Sequence, residues 1–98
     1  MPRYVIQRRF SIGADRMPEI GRRSRKLVDE EFPDVTWLHS HVVVEEDGNV
    51  RTFCVYEAPD EAAIHQHAQA LGYHLVEGIY EVAGDVTPED FPLVDEPV

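Results

Sequence analysis

From residue 4 to residue 10 the chain alternates apolar and polar positions and is bounded by a turn at Gly13, which predicts a first strand. Residues 17–32 then switch to a helical period. Pro18 sits in the first turn, Ile20, Ser24, Leu27 and Val28 share one stripe, and Pro33 ends the run. Two further strands follow, 35–45 and 50–57, joined through E-E-D-G-N. Asp47-Gly48 inside that link predicts a two-residue type I′ hairpin, whose central positions both need positive φ. Pro59 opens a second helix with Ile64, Ala68 and Leu71 on its apolar stripe, and Gly72 ends it. Residues 76–82 form the last predicted strand. The order β-α-β-β-α-β, wound with right-handed crossovers, gives an α+β, ferredoxin-like domain: a four-stranded antiparallel sheet with both helices on one face. Such domains pair into dimeric α/β barrels. The division is a domain over 1–83 and a proline-rich acidic tail over 84–98, with Phe91, Leu93 and Val94 as its anchors.

Composition narrows the class. At 98 residues the chain holds one small core, and a hydrophobic share of 43% argues against disorder. No apolar run approaches the ~20 residues of a membrane span. The start, M-P-R-Y-V-I, has no signal-peptide core. A single cysteine, Cys54, excludes an internal disulfide and fits a reducing cytoplasm. The net charge of −10 is uneven: eight of the nine basic residues lie within residues 1–26, against two acids there. Arg22, Arg23, Arg25 and Lys26 read as the solvated face of the first helix. The acidic remainder disfavours nucleic acid and favours cations.

The unusual chemistry lies in T-W-L-H-S-H-V-V-V, where His39 and His41 have the spacing that puts two side chains on one face of a strand. The two-residue hairpin would pair Glu46 with Asn49, and so His41 with Cys54 and His39 with Tyr56. Those four then share one face with Trp37, Val43 and Thr52. Leu38, Val42, Val44, Phe53 and Val55 fall on the other face, expected beneath the helices. Imidazole nitrogen with thiolate sulfur suits a late first-row metal such as nickel, copper or zinc rather than magnesium or calcium, and the Tyr56 phenol converges on the same place. The bland alternative is an amphipathic surface with an inert strand cysteine. His67 falls beside the stripe of the second helix and points into the space between helix and sheet. His65 is solvated there, and His74 lies just beyond the helix end, where a cation is favourable.

The segments M-P-R-Y-V-I, V-T-W-L-H-S-H, T-F-C-V-Y-E-A-P-D-E-A-A-I and H-A-Q-A-L-G-Y resemble a bacterial family of small ferredoxin-like proteins that includes a streptomycete nickel-binding protein. The resemblance spans residues 2–82. It implies a cytoplasmic, non-catalytic homodimer able to bind nickel, in storage, buffering or sensing. Taken with the register, the metal-site candidates are His39, His41, Cys54, Tyr56 and His67, the last added because its place in the motif matches.

A competing reading is an enzyme of the dimeric α/β-barrel type, a cofactor-independent oxygenase or isomerase using His67, Tyr56 and Glu57. An RNA-recognition module shares the strand order, but R-T-F-C-V-Y lacks the required Gly-aromatic pattern and the charge is wrong.

Overall fold

The computed structural model describes residues 1–91 and Leu93. It contains β1 (Arg3–Gly13), α1 (Met17–Glu30), β2 (Thr36–Val44), β3 (Asn49–Glu57), α2 (Glu61–Leu71) and β4 (His74–Glu81). The four strands form one antiparallel sheet in the order β2-β3-β1-β4, the ferredoxin-like arrangement that the element order predicts. Both helices cover the same face. Tyr4, Ile6, Cys54 and Tyr56 pack with Ile64 of α2 and Val28 of α1, while Phe10 and Val50 pack with Ile20 of α1 and Leu71 of α2.

Local chemistry fixes the helix ends. Asp60 caps α2 by accepting a hydrogen bond from the Ala63 amide at 2.9 Å. At the other end Arg23 of α1 donates to the carbonyls of Ala70 (2.9 Å) and Leu71 (3.1 Å), which are otherwise without helical partners. Part of the basic face of α1 therefore holds the two helices together. His74 is not a free cation beyond α2: it begins β4, its ring lies 5.0 Å from that of Phe10, and its Nδ1 meets the Gly72 carbonyl at 2.7 Å.

The hairpin departs from the expected register by one residue. Glu45 donates to the Asn49 carbonyl at 2.8 Å, so these two close the ladder and Glu46, Asp47 and Gly48 form a three-residue loop. Gly48 takes the left-handed position such loops require, at φ 84°. Asp47 selects this loop over the two-residue one, because its carboxylate accepts from the Asn49 amide (3.0 Å) and from the Asn49 side chain (2.9 Å). Since side chains alternate with period two, a one-residue change turns the strand over. Val50, Thr52, Cys54 and Tyr56 are thus buried beneath the helices, and Phe53 and Val55 face away with Arg51 and Glu57. The opposite phase would have pushed the charged Arg51 and Glu57 inward at both ends of the strand, at a desolvation cost that the observed phase avoids.

Three irregularities interrupt the ladders: β1 shifts against β3 between Arg9 and Gly13, and β2 and β4 each carry a bulge. Trp37 pairs with Tyr56 but His39 pairs with Val55, leaving Leu38 as an extra residue in β2. Gln7 pairs with Gly78 but Arg8 with Val76, leaving Glu77 extra in β4, where it bridges Arg9 at 2.9 Å and Arg51 at 3.3 Å. Beyond β4, Val82 donates to the Arg3 carbonyl and Asp85 pairs with the Arg3 side chain. Phe91 and Leu93, expected as anchors of the tail, are exposed, and Val94 lies outside the described residues.

Two glycines should respond oppositely to alanine. Gly48→Ala forces a side chain into the left-handed region and should cost about 1 kcal/mol. Gly21, in α1, has nothing within 4 Å of an added Cβ, so Gly21→Ala should raise stability by about 0.5–1 kcal/mol. Urea midpoints of the two variants against the parent check both signs.

Candidate functional site

The five candidate ligands fall on opposite faces of the sheet. His39, opposite Val55, and His41, opposite Phe53, project from the face without helices, both exposed, with ring centroids 5.3 Å apart. Cys54, opposite Ser40, and Tyr56, opposite Trp37, are buried on the helix-covered face, where His67 reaches down from α2. The expected pairings of His41 with Cys54 and of His39 with Tyr56 are therefore corrected, because the three-residue loop shifts β3 by one position. Trp37 moves as well: the bulge at Leu38 turns it inward to stack on Tyr56 at 6.3 Å. Among the described residues no three His, Cys, Asp or Glu side chains converge as a metal site. The enzyme candidates are separated too, for Glu57 faces outward while His67 and Tyr56 face inward.

The inner face holds a polar cluster inside an apolar core. The Ser24 hydroxyl of α1 lies 3.4 Å from both the Tyr56 hydroxyl and His67 Nε2, at the long end of hydrogen bonding. The Cys54 thiol donates to the Thr52 hydroxyl at 3.3 Å. His67 is fully buried, its ring 5.4 Å from Tyr56 and 5.7 Å from Phe32, and its Nδ1 has no partner. Arg8 completes the cluster: it is 2% exposed, and its guanidinium sits over the Tyr56 ring at 5.1 Å.

Burial is the main electrostatic influence here. It lowers the pKa of His67 to about 4, with the neighbouring Arg8 charge and His74 adding to the effect. Burial also raises Tyr56, partly offset by the Arg8 charge, so the phenol stays protonated at neutral pH. The cluster is a neutral imidazole, a neutral phenol and two small hydroxyls around one fixed positive charge.

Arg8 escapes a search for ligands and bases, although Tyr4, Ile6, Arg8 and Phe10 occupy successive inward positions of β1. A charge in phase with an apolar strand face is the signal that reveals it. Ser24 shows the same signal on the apolar stripe of α1.

A family model described as nickel responsive protein, SCO4226-like, matches residues 4–82. The chain belongs to that family. No curated protein and no solved structure gives a significant match. For this SCO4226-like chain, no helix among the described residues is long and apolar enough to cross a membrane.

The buried state of His67 sets a pH dependence of stability. The unfolded chain binds a proton at this site near pH 6.5 and the folded one only near 4, so acid favours unfolding. Stability should be full above pH 6.5 and fall by about 3 kcal/mol as pH drops toward 4. His74, also lowered by burial, acts in the same direction. Urea unfolding across that range should show the loss, and a His67→Gln variant should show a visibly shallower slope.

Proposed function

We propose that this protein is a non-catalytic binder of a late first-row divalent ion, nickel in the first instance, acting as a cytoplasmic homodimer in metal storage, buffering or sensing. The observation that carries the reading is the outward His39–His41 pair, 5.3 Å between ring centroids, in a chain of the nickel responsive family. Two exposed imidazoles suit such an ion in donor type, and they need no desolvation to reach it. They are too few to complete a coordination shell, so further donors come from a second copy or from solvent.

A second copy is favoured by the character of the face that carries the pair. Val5, Phe53 and Val55 are only half-covered there, and Val43, Leu75 and Tyr80 are exposed beside them. An apolar sheet face without a covering layer is a natural surface for self-association. Two-fold packing through it would bring two histidine pairs into one interface. Cys54, Tyr56 and His67 are left out of the proposed ligand set, because the Arg8 guanidinium over the Tyr56 ring, paired with no acid among the described residues, repels a dication.

Calorimetric titration with Ni²⁺ tests the assignment. His39→Ala and His41→Ala should each weaken binding by about tenfold or more, roughly 1.4 kcal/mol, while Cys54→Ala leaves it unchanged. Affinity should decline in acid, because protons compete with the metal for imidazole nitrogen. If both histidine variants bind like the parent, the pair does not hold the metal. Sedimentation of the parent at micromolar concentration checks the dimer separately.

A further inference from the structure

Arg8 presents a problem that the metal reading does not address. It is 2% exposed, its Nε and Nη2 have no hydrogen-bond partner, and no acid among the described residues pairs with it. The stacked Tyr56 ring gives partial compensation. A buried unpaired charge remains among the costliest features a small fold can carry. The nearby titratable groups offer no counter-charge: Tyr56 is held as the phenol, and His67 and His74 are held neutral by burial.

Arg8 also forms part of the wall of a cavity of about 130 Å³ between the sheet and α1. Phe10, Met17, Ile20, Trp37, Val42 and Leu71 supply apolar wall, and Ser24 and Tyr56, whose hydroxyls lie 3.4 Å apart, line it as well, with the Arg8 guanidinium over the Tyr56 ring. Gly21 lines it from α1, and its missing side chain leaves open space there. A cavity of about 150 Å³ with apolar walls is large enough for benzene. The space is thus shaped for a small apolar body with one negative end.

We propose that this cavity binds a small organic monocarboxylate, its carboxylate neutralising Arg8 and its ring or branched chain filling the space beneath α1. A guanidinium fork matches the two oxygens of a carboxylate. A doubly charged inorganic anion finds one cation and mostly apolar walls, and is disfavoured. The site lies on the opposite face of the sheet from His39 and His41, so the inference stands independently of the metal reading.

Benzoate and 3-methylbutanoate serve as probes, with benzyl alcohol as the neutral counterpart and inorganic phosphate as the plain anion. Titration of the full-length protein, followed by calorimetry and thermal unfolding, should show saturable binding of a carboxylate with a raised midpoint. Benzyl alcohol should bind at least about tenfold more weakly. Arg8→Met should abolish the carboxylate preference and leave the ligand-free midpoint equal or higher, since it removes an uncompensated charge. Gly21→Leu, which places a side chain in the open space without touching Arg8, should block the probes while the protein stays folded. Absence of saturable binding by both carboxylates overturns the proposal. So does undiminished benzoate binding in either variant, or phosphate binding as tightly as benzoate.

Discussion

The contact between Glu45 and Asn49 sets the phase of half the sheet. It closes a three-residue loop rather than a two-residue one, and every side chain of β3 takes its face from that choice. Cys54 and Tyr56 become core residues because of it, and Phe53 and Val55 become the outward neighbours of the histidines. The Asp47 carboxylate, gripping Asn49 twice, stabilises the loop locally. Burial of Val50, Thr52, Cys54 and Tyr56 beneath two helices then locks the same phase from within. Local turn chemistry and global packing agree, which is the condition for a single well-defined fold.

The sheet consequently separates two chemistries. Its outer face is built from exposed imidazoles, half-covered apolar residues and the Arg9–Glu77–Arg51 ion network. Its inner face carries one fixed positive charge and several neutral hydrogen-bonding groups in a low-dielectric setting. A divalent cation and an organic anion would be drawn to opposite sides of the same four strands. The backbone between the faces keeps these two sets of groups apart.

Much of the fold was legible in the sequence, because it rests on periodicity and on strong punctuation: Pro18, Pro33, Pro59 and Gly72 each mark an element boundary or sit beside one. The outward setting of His39 and His41 is also what the strand pattern implies. What the pattern hides is phase. Asp-Gly serves two-residue and three-residue hairpins alike, and the preference here comes from a side-chain contact that a dipeptide signal does not contain. The bulge at Leu38 is equally silent, since T-W-L-H-S alternates no differently from an unbulged strand, yet it alone puts Trp37 inside and His39 outside. Arg8 was legible in principle. It shares a face with Tyr4, Ile6 and Phe10, and a search organised around metal ligands passes over it.

The bulges at Leu38 and Glu77 have a further consequence for the edges of the sheet. Each involves an edge strand, at Leu38 in β2 and at Glu77 in β4. An unbulged β2, with its exposed run Val42, Val43 and Val44, would offer an open ladder to which a strand from another molecule could add without limit. Bulges bend and twist a strand and interrupt its ladder, making it a poor template for such addition. Open-ended growth along the sheet edge is thereby disfavoured. The same irregularity that sorts Trp37 from His39 also discourages the chain from polymerising.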